Sequence, residues 1–266
     1  MKLAALALRG CDYGIREQID FLKAARARAK ESDQVSVDLL LAQAAATTKD
    51  WALFEEASIR LLAAYPGSDS ALWDVIEGCI HTHHWEVGEK AIATRLARIP
   101  DDEVAARVAS VLADGKGEYA QARSLLRPLI DRNRAGMWDF NQYTWNAILL
   151  GKVSDDDLSI LQQGINDNNS FNELHTLACL YAEMGKTKEA REILLKAVDS
   201  AGMRQPDEAV WYGFARVAED YGLTDVALSL YRRVGKTKNY DTPTSTYNLA
   251  RHREQMIQAH TAHGGE

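Results

Sequence analysis

Between Phe171 and Met203 apolar and small residues recur at three- and four-residue steps: Leu174, Leu177, Ala178 and Tyr181, then, beyond Gly185, Ala190, Leu194 and Ala197. Steps of that size return to one face of an α-helix, so the pattern predicts two amphipathic helices joined by a tight turn. Gly185 marks the end of the first, because glycine takes the left-handed conformation of a helix C-terminus without steric cost. The same order returns one unit later in Trp211, Phe214, Ala215, Gly222, Ala227, Tyr231 and Val234. Ala178, Ala190, Ala215 and Ala227 stand where paired helices approach closely, and a larger side chain would push them apart.

The pattern has a period. Trp51, Trp85 and Tyr119 are 34 residues apart, as are Pro66 and Pro100, and Gly117, Gly151 and Gly185. Three markers sharing one interval predict a repeat array. The frame places units at residues 1–34, 35–68, 69–102, 103–136, 137–170, 171–207 and 208–241, with a three-residue insertion near Ala201, Gly202 and Met203 and a cap at 242–266. The expected fold is all-α: one domain over 1–266, a right-handed α-solenoid of about seven antiparallel helix-turn-helix repeats closed by a C-terminal capping helix.

The aromatic or large apolar residue early in each unit, the small residue four later, the turn glycine, the second-helix alanine and the terminal proline together resemble the tetratricopeptide repeat (TPR) family. The likeness is densest over Phe171–Val234. Toward the N-terminus Phe54 and Gly88 replace the second-helix alanine, and Ile15 and Lys49 stand at the turn. The stretches Trp211–Leu223, Ala227–Val234 and Pro243–Ala250 are also similar, loosely, to the closing repeats of larger bacterial multidomain proteins, which implies a relation to the C-terminal scaffold of a longer polypeptide.

Membership of that family implies a concave face lined by first helices, with groove positions at the second, fifth, ninth, twelfth and thirteenth residues of each unit. Those positions nominate Trp73, Glu77, Arg107, Trp138, Asn141, Trp145, His175, Tyr212 and Arg216 for partner binding. Two tryptophans beside hydrogen-bonding side chains suit a peptide, since aromatics bury large areas and lose few rotamers. The alternative is that Trp138 and Trp145, with Phe140 and Tyr143, form inter-repeat core if the helix is rotated by one position. Trp51 and Trp85 are expected in the core. The variant that clamps a peptide carboxylate with paired Lys and Asn has no counterpart: the matching pairs are Leu39 and Gln43, Trp73 and Glu77, Arg107 and Val111, and Asn141 and Trp145.

Composition narrows the partner. With 31 basic and 38 acidic side chains the net charge is -7, which opposes phosphate attraction, so no nucleic acid is expected. At 266 residues and 46% hydrophobic content the chain can bury a substantial core. Three cysteines, Cys11, Cys79 and Cys179, are too few for a disulfide framework and read as buried apolar groups. No apolar run approaches the ~18 residues that span a membrane. Leu3–Leu8 imitates a signal peptide but is too short, so the expected location is cytoplasmic, or exported if the chain belongs to a larger secreted protein.

Candidate chemistry is thin. His81, His83 and His84, with Glu77 one turn earlier, are weighed as metal ligands, but they fall at an inter-helix turn where polar residues are expected, and no metal is expected there. Gly185-Lys186-Thr187 and Gly235-Lys236-Thr237 end as phosphate loops do, yet Leu180 and Leu230 occupy the positions that need glycine. Ser154 before Asp155, Asp156 and Asp157 reads as a helix N-cap. Glu77, Asp114, Glu183, Glu219 and Asp220 lie near the inner face, and nothing singles out a hydrolytic pair. The reading is therefore a scaffold for a protein or peptide, neither an enzyme nor a cofactor binder, with its oligomeric state open. The alternatives are a small-ligand sensor or hydrolase using acidic and histidine groove residues, and an RNA-binding helical repeat protein.

Overall fold

The computed structural model describes residues 14–165, 170–236 and 243–263. Among them are fourteen α-helices and no strand. In chain order these are α1 (Ile15–Arg28), α2 (Glu31–Thr48), α3 (Trp51–Ala64), α4 (Asp69–Thr82), α5 (Trp85–Arg98), α6 (Glu103–Gly115), α7 (Tyr119–Asp131), α8 (Met137–Leu149), α9 (Asp155–Gly164), α10 (Phe171–Glu183), α11 (Thr187–Ser200), α12 (Glu208–Asp220), α13 (Thr224–Arg233) and α14 (Thr246–His263). They form helical hairpins stacked as an α-solenoid. The segment holding Lys2–Leu8 and Cys11, Thr237 of the second glycine-lysine-threonine run, and the side chains of His260 and His263 lie outside the described residues.

The turns explain the period. Lys49, His83, Gly117, Gly151 and Gly185 follow one another at 34-residue steps, and their φ angles are 58°, 59°, 77°, 62° and 69°. Each ends the first helix of a hairpin in the left-handed region, which turns the chain sharply enough to send the second helix back. The next such residue, Gly222 at φ 72°, comes 37 residues after Gly185. The extra length lies after α11, where Gly202 at φ 58° closes the helix. Asp207 then starts α12, its carboxylate accepting from the Val210 amide at 2.9 Å. At α9 Ser154 and Asp157 cap each other, Asp157 Oδ2 accepting from the Ser154 amide at 2.9 Å and the hydroxyl at 2.7 Å.

The described residues fall into two compact units, within Met1–Leu112 and within Ala113–Glu266. In the first, Ile19, Leu22, Leu41, Phe54 and Leu61 belong to one core cluster, and Leu72, Val75, Ile76, Cys79, Val108 and Leu112 to another. Trp51 and Trp85 pack against these clusters. The close approaches fall where the repeat uses small residues: a Cβ on Gly88 would meet Leu112 Cδ2 at 3.0 Å, and one on Gly78 would meet Glu55 Cβ at 2.9 Å. Buried charges tie neighbouring helices together. Asp38 accepts from Arg26 at 2.6 Å and from Arg60 at 2.7 Å, while Arg95 donates to Asp69 at 2.6 Å and Asp102 at 2.5 Å.

In the second unit Ala122, Ala178, Ala190, Ala215 and Ala227 are all buried, as close helix pairing requires. Ala250 and Ile257 of α14 join Tyr212, Tyr231 and Leu180 in one core. This packing changes the reading of the last repeat. Tyr212 is 0% and Arg216 3% exposed, so neither lines an accessible groove. The cap helix is the reason: Arg253 on α14 reaches Glu183 and Glu219, both at 3.5 Å. Beneath it Arg216 binds Glu183 at 2.7 Å, Glu219 at 2.8 Å and Asp220 at 3.3 Å. A terminal repeat exposes an apolar face that something must cover, and here α14 covers it.

Candidate functional site

In the first unit Trp73 packs against the core and Glu77 is exposed, while Arg107 Nη1 donates to its own-helix neighbour Glu103 at 3.4 Å. The second unit brings other nominated residues together. Asn141 and Trp145 of α8, Phe171 and His175 of α10, Ala209 of α12 and Thr244 line a pocket of about 230 Å³. The helical period accounts for this: the fifth and ninth residues of one first helix lie one turn apart on the face that meets the fifth residue of the next.

Aromatic rings build one wall. The Trp145 ring lies 5.7 Å from the His175 imidazole at 43°, and Phe171 stacks on the same imidazole at 5.5 Å and 23°. Trp145 is half-buried and packs on the core with its polar edge turned to the chain: Nε1 donates to the Thr244 carbonyl at 3.2 Å. Tyr119, at the start of α7, donates its hydroxyl to the Pro243 carbonyl at 2.9 Å. Two aromatic tips thus receive the main chain of the turn before α14. Asn141 Oδ1 is buried and has no hydrogen-bond partner among the described residues. Trp138 is 43% exposed and is not part of this pocket's lining. Of its flanking aromatics Tyr143 is buried and Phe140 packs against the core, so the helix presents Trp138 and Trp145 differently.

His175, nominated as a groove residue, is itself buried. Burial lowers its pKa to about 4, so the ring is neutral at physiological pH; its Nε2 lies 2.9 Å from the Ala209 carbonyl. The Cys179 sulfur is 3.5 Å from the same nitrogen, and burial raises its thiol pKa further. A neutral thiol beside a neutral imidazole supplies no activated nucleophile. Next to the pocket, burial lifts the Asp114 carboxyl to about 7, against the Asn146 and Gln142 amides that hold it down. Gln142 Nε2 donates to Asp114 Oδ2 at 2.7 Å. The pocket lining carries no charged side chain at pH 7.

The other chemical candidates resolve into structural roles. His81 stacks on Trp51 at 3.8 Å, His83 meets the Trp85 edge at 5.2 Å, and His84 Nδ1 is 3.0 Å from Glu55. The three imidazoles thus engage different partners, and no group of three metal-ligating side chains gathers among the described residues. Glu183, Glu219 and Asp220 are committed to Arg216. Cys79 is buried, its thiol pushed up to about 12.

Sequence reasoning left Tyr119, Gln142, Phe171 and Thr244 out of the site. Tyr119 and Phe171 are visible only as markers of the period, and Thr244 falls in the presumed cap, where no helical register points to a groove. No helix among the described residues is long and apolar enough to cross a membrane. No family model and no curated protein matches the sequence. The structure, however, is similar to the crystal structure of a tetratricopeptide repeat protein from Parabacteroides merdae, with a TM-score of 0.64 over 89% of this chain and 92% of that one. At 14% identity the likeness is one of fold, and the fold of this chain is the α-solenoid of tetratricopeptide repeats.

Proposed function

We propose that the chain is a non-catalytic scaffold for a protein or peptide, and that its second unit receives a partner's main chain at the pocket of Asn141, Trp145 and His175. The observation that carries this reading is that Trp145 Nε1 and Tyr119 Oη already donate to two successive main-chain carbonyls, Thr244 and Pro243. An indole N–H and a phenol O–H each donate once, so a partner's main chain would take the place of this turn, its carbonyls accepting where those of Thr244 and Pro243 do. Aromatic side chains make such contacts at low entropic cost, since the ring supplies area and the tip a hydrogen bond. Asn141 lines the same pocket, and its side-chain amide adds hydrogen-bonding capacity there. Trp138, exposed on the same helix, extends the apolar area a partner would cover.

The chemistry also limits the partner. With no charged group in the lining and His175 neutral, recognition rests on hydrogen bonds and aromatic contact, which favours neutral, turn-forming peptide segments. Selection from a random peptide library on the purified chain tests this. Selected peptides should lose about tenfold or more in affinity on Trp145→Ala, the loss typical of a buried aromatic anchor. Peptides that bind the Trp145→Ala and Asn141→Ala variants as well as the wild type would refute the site.

A further inference from the structure

We propose that the first unit carries a separate binding site, on the side formed by the second helices α3 and α5, for a free long-chain carboxylate. A cavity of about 470 Å³ lies between these helices, over Val75 of α4. Its volume falls in the range of small-molecule sites, ~300–1,000 Å³. Ile59, Leu62 and Ala63 form one wall and Val87 and Ala91 the other, so the interior is apolar. Val75 below is fully buried and closes the floor.

The polar groups are all on one edge. Lys90, Thr94 and Arg98 line the cavity at four-residue steps along α5, a ridge about 12 Å long at ~1.5 Å per residue. Lys90 and Arg98 are exposed, and among the described residues neither has an acidic partner within ion-pair distance. Arg95 between them differs: its guanidinium is fixed by Asp69 and Asp102 and forms part of the wall. On a chain of net charge -7, these two cations without an ion-pair partner stand beside an apolar cavity. An apolar gap with cations along a single edge is complementary to a molecule with an apolar tail and one anionic head. The cavity is of small-molecule size, which favours an acyl chain over a docked helix.

Dodecanoate, titrated below its micelle concentration into the full chain and followed by calorimetry, is the test. Saturable one-to-one binding is expected, with dodecanol, which has the same tail and no charge, bound about tenfold more weakly, as loss of a charge-assisted contact entails. The surface double variant Lys90→Glu/Arg98→Glu should weaken dodecanoate to the same degree with an unchanged Tm. Ala91→Phe should abolish binding by filling the gap. Trp145→Ala should leave it intact, which separates this site from the peptide pocket. Failure of the wild type to bind dodecanoate would overturn the proposal, as would equal affinity for dodecanol, indifference to the charge reversals, or association with anionic phospholipid vesicles alone.

Discussion

Lys49 and His83 occupy the left-handed turn that glycine fills in the following repeats, at φ 58° and 59°. A side chain there costs about 1 kcal/mol or more. Lys49→Gly should therefore raise stability by about 1 kcal/mol, read as a higher denaturant midpoint. Gly78 is the converse: a Cβ would sit 3.0 Å from Glu55 Cα, a backbone atom that cannot rotate away. Gly78→Ala should destabilise by ~1–3 kcal/mol although alanine is the better helix former. Two buried groups set opposing pH dependences. Asp114, raised from 3.8 to about 7, holds a proton in the folded chain that the unfolded chain releases. Its contribution is full below pH 3.8 and is lost as pH rises through about 7. His175, lowered from 6.5 to about 4, contributes fully above 6.5 and loses that contribution as pH falls through about 4. Denaturation midpoints between pH 4 and 8 should show Asp114→Asn gaining stability at the alkaline end and changing little at the acid end.

Helices begin at Asp69, Glu103, Met137, Phe171 and Glu208, at intervals of 34, 34, 34 and 37 residues. They were legible because each depends on a local device: a left-handed turn, a cap, a small residue at a close approach. α2 begins earlier, at Glu31, since no turn residue interrupts the chain there. The partners of α14 were not legible. That a cap exists follows from the need to close a repeat array, but which residues it covers depends on long-range packing, so Tyr212 and Arg216 read as groove positions and are core. The buried ionic cluster under this helix gives a prediction. Arg216→Ala leaves Glu183, Glu219 and Asp220 with Arg253 as the one remaining cation among the described residues, and should destabilise by ~3–5 kcal/mol. Hydrogen exchange should show the loss concentrated in α12–α14. Trp138 and Trp145 illustrate the same limit: they share a helical face by spacing, yet the turn at Pro243–Thr244 covers Trp145 alone.

Taken as one molecule, the chain joins a regular helical scaffold to a pocket that the regularity creates but does not specify. Fifth and ninth positions of first helices converge because the repeats stack; the rings of Trp145, His175 and Phe171, and the carbonyls they face, are particular to this sequence. The net charge of -7 has little part in the pocket, whose lining is neutral, so peptide affinity should change less than about threefold between low and physiological salt, where phosphate binders lose orders of magnitude. Trp145→Phe keeps a ring against His175 and removes only the indole N–H that donates to a main-chain carbonyl. The most direct measurement is the affinity of a selected peptide for the wild type and for Trp145→Phe, with Tm recorded for both. Backbone reading by Trp145 predicts a loss of about tenfold at nearly unchanged Tm; equal affinities would contradict it.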